Sequence, residues 1–501
     1  VEVPFASGTP EPDHWWTATS QDGLEVPLGR AGAKKFQYLR LGEGTSQHVL
    51  AAGKTGSGKS TLWHVLITQI ALRYSPDEVE LYLVDFKKGV EFKAYAVAGL
   101  PHARVIAIES EREFGLSVLE RLDALLHERG DLFRQHGVQD LPGFRAQNPQ
   151  VRLPRVLLVI DEFQELFVED DRIAQAAALL LDRLVRQGRA FGIHVLLGSQ
   201  TLAGAYSLPR STLGQMAVRI ALQCSETDAH LILSEENTAA RLLTRPGEAI
   251  YNDANGLYEG NHPFQVFWLS DSEREKYLAQ LRDFSADRRY AAPSPIVFEG
   301  NVPAKLEENA QLRALLEAEV CPEPPRTAHI WLGDAVSIKP PTQASFIRQS
   351  GSNLLMVGHR DDLARGLFAA GILSLAAQYP PEDPSGKPYV QMYLFDGTRP
   401  DASEADYFRQ LAGMLPYPLE VVGPAQAGQT IGAVAAELAR RQAENLDQER
   451  PIYLLVYDLA RFRTLRRAEE DFGFSLGGED RPASPAQQLA QILREGPAWG
   501  V

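Results

Sequence analysis

Residues 53–60 read Gly-Lys-Thr-Gly-Ser-Gly-Lys-Ser and satisfy the pattern Gly-x-x-x-x-Gly-Lys-[Ser/Thr] in full. No other stretch limits the fold as sharply, because such a loop needs a buried strand before it and a helix after it. Both are legible. His48-Val-Leu-Ala-Ala52 reads as a short buried strand, and the run from Thr61 to Leu72 places apolar residues at 62, 65, 66 and 70, as a helix does. Glycines let backbone N–H groups close around phosphate oxygens, and the helix start adds partial positive charge. Gly53, Thr55, Gly56, Ser57, Gly58, Lys59, Ser60 and Thr61 are therefore the expected phosphate cradle. Lys59 is expected to reach the β- and γ-phosphates of a nucleoside triphosphate, and Ser60 to ligate Mg²⁺.

Such a loop works with a carboxylate on a neighbouring strand. The run Arg155-Val-Leu-Leu-Val-Ile-Asp161-Glu162 supplies it: continuously apolar, hence a central parallel strand, and ending in two acids. Ligands of parallel α/β sheets bind at the carboxyl ends of strands, where these acids fall. Asp161 is the expected second Mg²⁺ ligand, and Glu162 the general base that polarises water. A third strand, Gly192-Ile-His-Val-Leu-Leu-Gly-Ser-Gln200, ends in a polar pair suited to sensing the γ-phosphate. A fourth, Val79 to Asp85, also ends in a carboxylate. Strands alternating with helices predict a doubly wound α/β domain with a mostly parallel sheet.

The rest of the composition sets bounds. A chain of 501 residues has room for two to four domains. It carries 65 acidic against 50 basic side chains, a formal charge of −15, which argues against non-specific coating of nucleic acid but allows a local basic channel. Two cysteines, Cys224 and Cys321, suit a reducing cytosol and exclude a cysteine-rich metal site. No apolar run is long enough to span a membrane. The expectation is of a fragment, with any membrane association lying in regions outside it.

Several stretches together resemble the FtsK/SpoIIIE family of RecA-like motor ATPases. They are Pro27-Leu-Gly-Arg, His48 through Ser60, Leu83-Val-Asp-Phe-Lys, Gly99-Leu-Pro-His, Val159-Ile-Asp-Glu-Phe, Arg186 through Gln200, and Leu242-Leu-Thr-Arg-Pro-Gly247-Glu-Ala-Ile-Tyr251. The resemblance covers about residues 20–270. It implies ATP and Mg²⁺ at the junctions of a homo-oligomeric ring, a hexamer in the family, with an arginine from the neighbouring subunit completing each site. The implied catalytic set is Lys59, Glu162, Gln200, Arg189 and Arg219. Two departures each remove a family arginine: Ser199-Gln200-Thr201-Leu202 stands where the family has Thr-Gln-Arg-Pro, and Asp228-Ala229-His230 where it has Asp-Ser-Arg.

The chain also resembles itself. Trp331-Leu-Gly-Asp matches Pro27-Leu-Gly-Arg, and Asn353-Leu-Leu-Met-Val-Gly358 matches His48 through Gly53. Gln391 through Asp396 matches Glu80 through Asp85, the run Ile452 to Leu459 matches Val156 to Glu162, and Ile492 through Val501 matches Leu184 through Ile193. The second copy has lost its chemistry: Gly358-His-Arg-Asp-Asp-Leu-Ala364-Arg365 lacks the second Gly, the Lys and the Ser/Thr, and Leu459 is expected in place of the base. The expected organisation is a tail or the end of a preceding domain over 1–19, an active ATPase domain over 20–284, a proline-containing linker over 285–328 with a short helix near 305–319, and a degenerate, truncated copy over 329–501. Trp15-Trp16 is expected to bury against the first domain.

Two loops are candidates for gripping a polymer, Gln164 to Arg172 and Leu202 to Thr212. The second carries Arg210, suited to phosphate; the first carries Glu165, Glu169, Asp170 and Asp171, which repel it. Three readings follow from the resemblance: a double-stranded DNA translocase, a protein-secretion motor of the type VII EccC/EssC kind acting on a secreted protein, and an ATP-dependent regulatory scaffold.

Overall fold

The computed structural model describes residues 2–87, 91–201, 210–290, 293–300, 302–320, 323–383, 385–415, 417–466 and 483–501, with Arg210 described by its backbone alone. The chain divides into two compact units, residues 1–302 with 336–338, and residues 303–335 with 339–501. Among the described residues no helix is long and apolar enough to cross a membrane.

The first unit is built on one sheet. Its strands are β1 (Val3–Pro4), β2 (Leu24–Ala31), β3 (Lys35–Leu41), β4 (Val49–Ala52), β5 (Val79–Asp85), β6 (Ala103–Ile108), β7 (Arg155–Asp161), β8 (Ile193–Ser199), β9 (Val218–Leu222), β10 (Glu248–Asn252), β11 (Asn261–Trp268) and β12 (Ile296–Glu299). The order is β12-β6-β5-β7-β8-β4-β9-β10-β11-β2-β3, with β1 beside β11. From β12 to β9 every pairing is parallel, and from β9 to β3 every pairing is antiparallel. The central strands β4, β7, β8 and β9 are buried along their whole length. Their continuous apolar runs follow from that, since both faces of the sheet are covered. Val49 and Ala51 face one core with helix α1 (Lys59–Arg73). Leu50 and Ala52 face the other core, with the helices Arg112–His136 and Arg172–Phe191.

Two expected boundaries move. Residues 1–19 are integral to the first unit: β1 pairs with β11, and Phe5 and Trp15 are buried edge-to-face against Phe267 and Phe284. The expected linker 285–328 divides between the units. Its strand β12 lies parallel to β6 at the sheet edge, with Phe298 stacked on Phe114 at 4.3 Å. Pro293 and Pro295 masked this strand in the sequence, yet prolines ahead of an edge strand remove no needed hydrogen bond. Residues 303–328, with the short helix Ala310–Leu316, fall in the second unit.

The second unit has strands β13 (Ala328–Gly333), β14 (Thr342–Phe346), β15 (Gln391–Asp396), β16 (Leu419–Val422) and β17 (Ile452–Tyr457). β13 and β14 form an antiparallel hairpin, and β16-β15-β17 form a parallel sheet. The repeat is visible in detail. β16-β15-β17 has the strand order of β6-β5-β7, and the β2–β3 and β13–β14 pairings each carry an irregularity at the matched pair, Pro27/Gly29 and Trp331/Gly333. Val156 N–H donates to Gly192 O at 2.8 Å, as Ile452 N–H does to Gly500 O at 2.8 Å.

Two details of the second copy differ from the sequence reading. Asp85 pairs with Asp161 in register, whereas Asp396 pairs with Tyr457. Asp458 then follows the strand in the left-handed region (φ +54°), as Glu162 does (φ +53°). Asp458 therefore occupies the place of Glu162, and Tyr457 the place of Asp161; Leu459 is one residue beyond. The second difference is the segment 353–357, expected as the counterpart of β4. It pairs with no strand among the described residues, and Leu355 and Val357 are 81% and 91% exposed. β4 is a strand because β8 and β9 hydrogen-bond it on both sides, and an extended segment without such partners has no ladder to hold it.

Candidate nucleotide site

The loop after β4 is pinned at three points. Gly53 N–H donates to Ser199 O (3.2 Å), Lys54 N–H to Gln223 O (2.8 Å), and Gly247 N–H to Ser57 O (2.8 Å). The last bond brings the Leu242–Tyr251 stretch against the loop. Gly56 and Gly58 adopt φ of +78° and +100°, which side-chain-bearing residues rarely take. A Cβ on Gly53 would strike Ser57 Oγ and, at 2.8 Å, Leu222. The N–H groups of Thr55, Gly56, Gly58, Lys59, Ser60 and Thr61 have no backbone acceptor among the described residues. They form a row of donors at the start of α1, the arrangement that binds phosphate.

Opposite the loop, β7 delivers two carboxylates. Lys59 Nζ is ion-paired with Asp161 Oδ1 and, at 2.8 Å, with Glu162 Oε1, all three side chains being buried. Trp63 Nε1–H also donates to Asp161 Oδ1 (3.1 Å). Gly198 on β8 leaves room for this cluster, since a Cβ there would collide with Asp161 Oδ1 and, at 2.8 Å, with Trp63. Glu162 Oε2 accepts from Gln164 Nε2 (2.8 Å) and from the N–H of Gln200 (2.9 Å). Burial pushes the Glu162 carboxyl up, but Lys59, Gln164 and the Gln200 N–H together hold it below the usual range. It is an ionised carboxylate, suited to taking a proton from water. Burial pushes the adjacent Asp85 up to about 7.

Gln200 is well placed. β8 lies between β7 and β4, so the residue after it reaches both sides of the site. Its Oε1 accepts from Thr55 Oγ1 at 2.9 Å while its N–H holds Glu162. Ser199 Oγ donates to Gln164 Oε1 (2.8 Å), which closes a network from the acid pair to the end of β8. Gln164, Trp63 and Glu91 were not legible as site residues. Gln164 lies in a gripping-loop candidate, Trp63 in the helix after the loop but outside its apolar positions, and Glu91, whose Oε1 accepts from Ser60 Oγ at 3.0 Å, in no recognised motif.

The arginines separate. Arg219 is buried and donates to the carbonyls of Met216, Ile232 and Leu233, at 2.8–3.3 Å. It ties the β9 region together, with its guanidinium committed to carbonyls of its own chain, an environment that suits a structural role. Arg189 is exposed on the last turn before β8. The site lies at the carboxyl end of that strand, about 20 Å away for seven residues. Arg189 therefore cannot serve its own site. In the first gripping candidate, Gln164, Leu166 and Phe167 are buried, and Arg112 pairs with Glu169 (3.3 Å) and Asp171 (2.8 Å). Of the second, residues 202–209 and the side chain of Arg210 lie outside the described residues.

The residues present fit a magnesium nucleotide. The unpaired N–H row and Lys59 match phosphate oxygens, and the Ser60 hydroxyl with the Asp161 carboxylate offers the hard oxygen ligands that Mg²⁺ prefers. Fold and site together define a P-loop ATPase. Residues 11–204 match the FtsK/SpoIIIE family model. A DNA translocase FtsK of Streptococcus agalactiae is 28% identical over 286 residues, 53% of this chain and 32% of that protein. One of Streptococcus pneumoniae is 29% identical over 291 residues, 54% of this chain and 35% of that protein. The chain spans about a third of the length of the curated relatives it matches. Among solved structures, the cytoplasmic domain of the type VII secretion ATPase EccC of Thermomonospora curvata superposes with a TM-score of 0.62 at 22% identity, covering 91% of this chain and 56% of that one. ATPases 2 and 3 of the same protein, solved with a signal sequence peptide, give 0.52 at 18%, covering 100% and 85%. These superpositions establish the shared tandem fold.

Proposed function

We propose that the first unit is the motor of a ring-forming ATPase that drives double-stranded DNA through a central pore. The observation that carries the ring is the division of the site. Lys59, Asp161, Glu162 and Gln200 converge in one subunit, no arginine side chain among the described residues contacts them, and Arg189 stands exposed at the opposite, amino-terminal end of β8. A neighbouring copy would bring Arg189 to the γ-phosphate, in the manner of an arginine finger.

ATP with Mg²⁺ supplies the phosphoryl group and its charge. Ser60 and Asp161 would hold the ion, and the unpaired N–H row with Lys59 would hold the phosphates. Lys59 leaves the carboxylates to do so, which frees Glu162 to orient water and accept its proton at Oε1 or Oε2. Gln200, bonded to both Thr55 and Glu162, couples the loop to the base and carries the change to the chain beyond β8.

DNA is favoured by the kinship of the motor with proteins named DNA translocases. It is favoured too by Arg112, which neutralises two of the four acids of the 164–172 loop. The tandem degenerate copy favours the second reading, a motor for a secreted protein. ATPase rate against protein concentration, with and without long duplex DNA at two salt concentrations, separates them. Salt-sensitive stimulation is expected, because phosphate contacts release counterions. Turnover that needs assembly yet ignores DNA selects the protein cargo.

A further inference from the structure

Beside the nucleotide site lies a chain of polar contacts that the mechanism above does not use. Ser60 and His64 stand one turn apart on the same face of α1. Glu91, beyond the end of β5, spans both: Oε1 accepts from Ser60 Oγ at 3.0 Å, and Oε2 lies 3.2 Å from His64 Nε2. The other imidazole nitrogen, Nδ1, lies 2.9 Å from the hydroxyl of the fully buried Tyr95. Phe92, also fully buried, anchors the backbone next to Glu91. One proton order satisfies every member: Tyr95 O–H to His64 Nδ1, His64 Nε2–H to Glu91, and Ser60 O–H to Glu91.

We propose that Glu91 is a third carboxylate of the nucleotide site, a positioning residue that fixes how Ser60 presents itself to Mg²⁺. This rests on the magnesium-nucleotide reading of the site. A serine hydroxyl has one proton and two lone pairs. Committing the proton to Glu91 leaves both lone pairs for a cation and prevents the hydroxyl from turning its proton toward the ion. His64 and Tyr95 fix the carboxylate in turn, as outer groups commonly orient metal ligands. The ionised Glu91 also adds negative charge next to the ligand oxygen. A brace that merely fastened the segment after β5 to α1 would need none of this alignment with a ligand atom.

The test is a Mg²⁺ titration of fluorescent ADP binding to the whole chain, with a parallel measurement in EDTA. In Glu91→Ala the Mg²⁺ midpoint should rise about 10- to 100-fold, while affinity in EDTA stays within about twofold. Glu91→Gln, nearly isosteric and retaining the acceptor, should fold as the parent does and fall between the two. In a Ser60→Ala background, Glu91→Ala should add nothing further. An unchanged Mg²⁺ midpoint in Glu91→Gln and Glu91→Ala overturns the proposal, as does equal weakening with and without Mg²⁺, or an additive effect in the Ser60→Ala background. If Glu91→Ala fails to fold, the Gln variant decides. Failure of the underlying site reading looks different: the parent chain would bind no nucleotide, or bind it with no Mg²⁺ dependence, and both proposals would fall.

Discussion

The two copies share a plan and differ in what they were left to hold. In the first, β4 is locked between β8 and β9, its loop carries glycines at +78° and +100°, and a lysine balances two acids. In the second, the counterpart of β4 is exposed and pairs with no strand among the described residues, and the loop keeps only the first glycine, Gly358, and has lost the lysine. Tyr457 stands at the register position that Asp161 holds in the first copy. What survives is the frame: the strand order, the irregularity in the hairpin, and the left-handed residue after the acid-bearing strand. Backbone geometry outlasts chemistry because packing enforces it everywhere, whereas catalytic side chains are enforced only by catalysis.

The largest expected effect compares acids at the same structural place. Lys59→Ala and Glu162→Gln should each lower ATP turnover by more than about 100-fold, since each removes charge aligned with the reacting phosphate. Asp458→Asn, at the position of Glu162 in the other copy, should leave turnover within about twofold. Steady-state ATPase assays on the three variants check this. A loss in Asp458→Asn comparable to that in Glu162→Gln would mean that the second copy also hydrolyses ATP.

Much of the first copy was legible because its constraints are local. The loop 53–60 needs a strand before and a helix after, and the runs ending at Asp161 and Gln200 are too apolar to lie anywhere but mid-sheet. What was not legible depends on contacts distant in sequence. Trp63 enters the site only because α1 meets the end of β7, Gln164 only because the end of β8 brings Ser199 against it, and Glu91 only because the chain beyond β5 folds back onto α1. Arg219 looked like a family arginine, but its environment of carbonyls could not be read from sequence. The register of the second acid strand slipped by one because Tyr-Asp-Leu aligns with Ile-Asp-Glu by its aspartate; the ladder aligns it by the strand end.

Acid should separate the units next. The first buries His48, His102 and His194, whose pKa values burial lowers to about 4, 4 and 3. Neither histidine of the second unit, His329 or His359, is buried. An unfolded histidine takes a proton below about 6.5, while these three stay neutral when folded, so stability is lost as pH falls from 6.5 toward 4. Asp85 opposes this. Its raised pKa makes the folded carboxyl hold its proton from about 7 downward, so it gains as pH falls over the same range. Buried His64 shifts in the same direction as these three, so the lowered imidazoles outnumber the one raised carboxyl and the first unit loses stability on balance. Hydrogen exchange of peptides from each unit at pH 7 and pH 5, corrected for the intrinsic rate, should show protection falling in the first unit and changing less in the second. Equal losses would break the contrast.

The smallest expected effect lies in one substitution made twice. Leu50 and Leu355 hold the same place in the two copies, three residues before the first glycine of each loop. Leu50 is fully buried in β4, and Leu355 is 81% exposed. Leu50→Ala should cost about 2–5 kcal/mol, since it opens a cavity that the paired strands on either side cannot collapse to fill. Leu355→Ala should fall within about 0.5 kcal/mol of zero, because the removed carbons were already in water. Denaturant melts of both variants give the comparison, and amide exchange supports it: 50–52 should be protected and 355–357 should exchange near the free-chain rate. A Leu355→Ala cost near that of Leu50→Ala would show that the segment is packed as a strand in solution, and that the two copies differ in chemistry alone.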